Sequence, residues 1–129
     1  MAHLFRIWLQ LARAPGFPEG SAKHGYVFTA PLDESGYIDA EAWRSLKDKC
    51  SVTRFWGDEP LQHGLLRHVG QGWRFDYEKS STEDDEPFFK LDRHELKAGN
   101  YVSVTEPDHT QWPFRIMSVE RLRDTEQVP

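Results

Sequence analysis

Gly64-Leu65-Leu66-Arg67-His68-Val69-Gly70-Gln71-Gly72-Trp73-Arg74-Phe75-Asp76-Tyr77 is the stretch whose reading decides the fold. Two short apolar runs flank a Gly-Gln-Gly turn, the pattern of a β-hairpin. In the second run Trp73, Phe75 and Tyr77 alternate with Arg74 and Asp76. Strand side chains project to opposite faces with period two, so one face carries three aromatic rings. Two registers are open. A two-residue loop, Gly70-Gln71, sets His68 opposite Trp73 and Leu66 opposite Phe75. A three-residue loop pairs Val69 with Trp73 and Arg67 with Phe75. The first keeps charge off the aromatic face, although it sets Arg67 beside Arg74.

Strand character extends outward from the hairpin. His3 to Ala12 places Phe5, Ile7, Leu9 and Leu11 on one face, although Leu4, Trp8 and Leu11 also fit helical spacing. Ala14 to Gly25 is rich in Pro and Gly and reads as a loop. Tyr26 to Ala30 reads as a second strand ended by Pro31, and Asp33-Glu34-Ser35-Gly36 as a turn. Asp39 is placed to cap a helix from Ala40 to about Lys49, with Trp43, Leu46 and Cys50 forming one apolar stripe. Ser51 to Trp56, Tyr101 to Thr105 and Gln111 to Leu122 supply further strands, and Phe88 to Leu91 resumes apolar character. Pro113 implies that the last one starts late or has an exposed edge. The expected fold is mainly β: a small antiparallel barrel or sandwich of about seven short strands with one helix. The 129 residues match one domain, expected to carry a mobile acidic loop at about 80–86 and a frayed tail at about 123–129.

Composition narrows the function classes. There are 16 basic and 21 acidic residues, a net charge of −5, which disfavours a general affinity for nucleic acid. The lone Cys50 excludes an internal disulfide and suits a reducing compartment. The N-terminal apolar run is only Ile7-Trp8-Leu9, and no stretch reaches the roughly 20 apolar residues of a spanning helix. The expectation is a cytoplasmic protein without membrane contact.

Candidate chemistry is sparse. The six His (His3, His24, His63, His68, His94 and His109) show no HxH or HxxxH spacing. Cys50 follows the helix at the wrong end of its dipole for a thiolate and reads as a buried small apolar residue. No nucleophile elbow, phosphate loop or dinucleotide glycine pattern is present. The sequence therefore assigns no catalytic residue, metal or cofactor. Five Trp, eight Phe and four Tyr are more rings than so small a core readily buries. Trp56 and Trp112 each adjoin a turn, where binding residues gather, and Trp and Arg contribute disproportionately to hot spots. The expected site is a groove lined by Trp56, His68, Arg74 and Trp112. The expected function is a non-catalytic binding or interaction module for a protein or small-molecule partner. The alternative is a small enzyme or metal-binding protein using His and carboxylates within a barrel.

Asp33 to Asp39 resembles part of a calcium loop, but with Gly36 at the sixth position the first and twelfth are Pro31 and Ala42. The anchoring carboxylates are missing. Adding millimolar calcium is therefore expected to leave Tm unchanged in a thermal melt.

Overall fold

The computed structural model describes residues 3–69, 72–77, 89–91, 95–105 and 110–122. Eight strands follow one another in sequence: β1 (His3–Leu11), β2 (Ser21–Leu32), β3 (Ser51–Trp56), β4 (Gln62–Val69), β5 (Gly72–Tyr77), β6 (Phe89–Leu91), β7 (Tyr101–Thr105) and β8 (Gln111–Arg121). Each pairs antiparallel with the next, and β8 returns to pair with β1, so the sheet closes into a barrel. Helix α1 (Ala40–Leu46) lies between β2 and β3. The mainly antiparallel β architecture with one short helix is the one the alternation implies, with eight strands described where about seven are expected.

The hairpin adopts the register of the two-residue loop. Leu66 pairs with Phe75, His68 with Trp73 and Arg67 with Arg74. Trp73 and Phe75 are buried, as their alternation requires. β1 is a strand rather than a helix: Ile7, Leu9 and Leu11 are buried inside, while Trp8 points out and is 37% exposed. Tyr26, Phe28, Phe75 and Phe114 meet in the middle. The Tyr26 ring lies 5.0 Å from Phe75 and 5.2 Å from Phe114, and Phe28 lies 5.2 Å from Phe75. Tilted and edge-on contacts of this kind add to the transfer free energy of the rings themselves.

Pro31 sits inside a strand that it is expected to end, and Pro113 inside one that it is expected to delay or to leave with an exposed edge. Pro31 lies within β2, and its carbonyl accepts from Asp39 N at 2.9 Å. The side of β2 on which Pro31 lacks a donor is therefore the side facing Asp39, beyond the described β3 pairing, which covers His24 to Phe28. Pro113 lies within β8, and its carbonyl accepts from Ala12 N, just past the end of β1. In each case the missing N–H falls where no ladder bond is needed. β2 also begins at Ser21, inside the stretch read as a loop. Its register against β1 jumps from Gly25 opposite Gln10 to Ser21 opposite Leu11, so residues 22–24 bulge out of that ladder.

The helix is shorter than its apolar stripe implies. Asp39 Oδ1 accepts from Ala42 N at 3.1 Å as the N-cap, and the chain then tightens into a 3-10 turn over Lys47–Lys49. Asp33 Oδ1 accepts from Ser35 N and Tyr37 N, which ties its carboxylate into the preceding turn. Trp43 reaches from α1 to the end of the barrel. Its Nε1 donates to Leu66 O at 2.9 Å, and its ring meets Trp73 edge-on at 5.7 Å. The segments 80–86 and 123–129, with the expected loop and tail, lie outside the described residues.

Two substitutions test this packing. Phe75→Ala should cost about 3–5 kcal/mol, because it leaves a ring-sized void beside the Tyr26 and Phe28 rings. Gly25→Ala should destabilise at least as strongly, because its Cβ would meet Leu9 O and come within 2.9 Å of the Phe55 ring. Urea unfolding followed by Trp fluorescence measures both.

Candidate functional site

The barrel has two unlike ends. At the helix end, Trp43 lies over Leu66 and Trp73. At the other, β3 finishes at Trp56 and β8 begins at Gln111, and this end is called the mouth here. Position parity decides what faces inward. Val52 and Arg54 are buried on β3, and Trp56 shares their face; Phe114 and Ile116 are buried on β8, and Trp112 shares theirs. The two indoles approach from β3 and β8 and meet edge-on, with centroids 5.6 Å apart.

Two further rings complete a circuit. His24, paired with Trp56 across β2 and β3, lies 4.6 Å from it. Phe17, from the connection between β1 and β2, lies 4.8 Å from His24 and 6.1 Å from Trp112. All four residues are half-buried. The His24 ring is fixed by a 2.7 Å hydrogen bond between its Nδ1 and Ser21 Oγ. Gly57, at φ 59°, lies close beneath His24: a Cβ there would come within 3.2 Å of Nε2. The left-handed backbone that favours glycine thus also lets the turn pass under the imidazole.

Beneath the rings lies a buried cation. Arg54 is 8% exposed and shares the inward face of β3. Its guanidinium carbon lies 4.6 Å from the Trp56 ring centroid. Nη1 donates to Gln62 Oε1 at 3.2 Å and lies 3.5 Å from Glu59 Oε1, whose side chain is 62% exposed. Gln62 and Glu59 give this guanidinium a hydrogen-bond and a charged partner, and because the Glu59 side chain is so exposed, solvent screens the ion pair and it contributes little by itself. Trp112 Nε1 is also buried, with no hydrogen-bond partner among the described residues.

Of the four residues expected to line one groove, the structure brings Trp56 and Trp112 together and places His68 and Arg74 elsewhere. His68 faces inward at the helix end, stacked on Trp73 at 4.3 Å and 6.0 Å from Trp43. Arg74 faces out of the barrel beside Arg67, across the wall from the aromatic face. The cause is strand direction: β4 runs away from the mouth, so its last residues arrive at the opposite end. Phe17, His24 and Arg54 join the site in their place. Shared parity of Val52, Arg54 and Trp56 is the one local signal that could have placed Arg54 within; nothing in the spacing of Phe17 or His24 indicates their partners.

Among the described residues, no three His, Cys, Asp or Glu side chains converge as a metal would need, and no helix is long and apolar enough to cross a membrane. No protein-family model, curated protein or solved structure matches the chain.

Cys50 lies away from the mouth, fully buried, its Sγ donating to Leu46 O at 3.3 Å. Burial pushes its thiol up from 9.0 to about 12, because the thiolate would lose its hydration. Between these values the folded chain keeps a proton that the unfolded chain releases. The associated stability is therefore complete below pH 9.0 and declines as pH rises toward about 12. A Cys50→Ala variant lacks this slope. Urea unfolding of both proteins across that pH window should show the wild type losing stability relative to the variant.

Proposed function

We propose that this chain is a cytoplasmic, non-catalytic binding module, and that its mouth takes a small molecule or a protein side chain carrying a flat apolar group and a negative charge. The observation that carries this reading is the circuit of Phe17, His24, Trp56 and Trp112 above the buried Arg54. Half-buried rings offer apolar area that a ligand can remove from water, at about 25 cal/mol per Å². Aromatic side chains bring little conformational entropy to be lost on binding. Arg54 adds directional donors, and its ion-pair partner Glu59 is exposed enough to give way to an incoming anion. Trp112 also carries a buried indole N–H with no hydrogen-bond partner among the described residues. A site with few polar groups set among rings is the usual composition of a small-ligand pocket.

The probe of choice is 8-anilino-1-naphthalenesulfonate, which combines fused rings with an anion. Titration should quench Trp emission and raise the dye's own in a saturable way. Trp112→Ala and Phe17→Ala should weaken dye binding at least fivefold, whereas Arg74→Ala, across the wall, should leave it unchanged. Equal binding by all four proteins would place the dye elsewhere and overturn the reading.

A further inference from the structure

The outer wall carries a second feature that the mouth does not use. Tyr101 on β7, Arg115 on β8 and Gln10 on β1 are direct partners across three adjacent strands, Arg115 opposite both of the others. Side chains so paired stand about 5 Å apart on one face. Tyr101 is 56% exposed. This row lines a cavity of about 450 Å³, together with Pro113, Met117, Arg13 and Glu19. A second cavity of about 500 Å³ shares Tyr101 and Pro113 and runs on to the turn at Gly99 and Asn100. The two adjoin at Tyr101 and Pro113, and their linings reach from the connection after β1 to the turn before β7.

Two local irregularities shape the groove. Pro113 lies just beyond the end of β1, where Ala12 bonds to its carbonyl. Met117 is the extra residue of a β-bulge, because Ile116 pairs with Leu9 and Ser118 with Trp8. Bulges re-aim side chains and bend the strand locally.

The charge here runs against the chain as a whole. Net charge is −5, yet among the described residues the groove holds two guanidinium groups against the one carboxylate of Glu19. Among the described residues, neither Arg13 nor Arg115 makes an ion pair or a side-chain hydrogen bond. Tyr, Arg and Met are the side chains enriched where proteins meet proteins, and an elongated groove crossing three strands suits a length of polypeptide better than a compact molecule.

We propose that the groove between Arg13 and the Gly99–Asn100 turn docks an acidic segment of a partner protein, its carboxylates meeting Arg13 and Arg115 and an apolar side chain lying against Tyr101, Pro113 and Met117. This surface is separate from the mouth, and either assignment can fail without the other.

The test titrates the labelled protein with the capped hexapeptide Glu-Glu-Leu-Asp-Glu-Glu and follows amide nitrogen–proton correlations. Saturable shifts are expected at Tyr101, Ser103, Arg115 and Arg13, weakening as salt rises. The double variant Arg13→Ala, Arg115→Ala should bind at least tenfold more weakly, and Tyr101→Ala at least threefold, while Arg74→Ala, on β5, should bind as the wild type does. Both arginines are exposed, so the double variant should keep its dispersed spectrum; if it does not, a Lys replacement at each position, retaining the charge, should keep both fold and binding. The proposal is overturned if millimolar peptide shifts nothing at these positions, or if the double variant binds unchanged. It is also overturned if inorganic phosphate reproduces the shifts at equal concentration, or if a thymidine oligonucleotide of equal charge binds more tightly than the peptide.

Discussion

The structure depends on the pairing of its first strand with its last. The pairing runs from Phe5 opposite Arg121 to Leu11 opposite Phe114, with Leu9 opposite Ile116 in the core, and it joins β1 to β8 to close the sheet. An open sheet of these strands would present unpaired N–H and C=O groups along both edges. Closure also fixes inside and outside for every strand at once. The tilt that it imposes sets which residues of distant strands face each other across the lumen.

The interior is graded along the barrel axis. Its middle is apolar and aromatic, where Tyr26, Phe28, Phe75 and Phe114 fill the space with no room for water-sized gaps to be tolerated cheaply. Toward the helix end, the filling continues through Trp73 to Trp43, whose indole N–H finds the Leu66 carbonyl. Toward the mouth it changes character. Arg54 brings a charge within the wall, and the rings above it are only half-buried. Packing alone would favour an apolar residue of similar size at Arg54, since withdrawing a charge from water costs free energy that the solvent-exposed Glu59 only partly offsets. Polar chemistry retained against that preference is what draws attention to this end.

Secondary structure was legible wherever a local pattern carried it. The register of Leu66 with Phe75, the cap at Asp39 and the span Ser51–Trp56 all follow from alternation or capping within a few residues. The failures share one cause. Pro31 reads as a strand end, and Pro113 as a late start or an exposed edge, because a proline withholds a donor. Whether that donor is missed depends on the neighbour strand, and both prolines stand where the neighbouring pairing has ended. The candidate site divided for a similar reason. Trp56 and Trp112 came together, while His68 and Arg74 fell at the far end and on the far face, because the direction of β4 and the parity of β5 are properties of the whole sheet.

The sequence by itself determined a mainly β chain, an aromatic face on the central hairpin, a capped helix and the absence of any local metal or nucleophile motif. These are short-range properties, set by side-chain periodicity and by the conformations that Asp, Gly and Pro allow. Only the tertiary structure decided that Phe17, His24, Trp56 and Trp112 form one circuit above Arg54, and that Gln10, Arg115 and Tyr101 share one outer row. Those residues lie on β1, β2, β3, β7, β8 and the connection after β1. They meet through the closure of the barrel and its register, and a contact between strands so far apart in the chain leaves no periodicity in the sequence to be read.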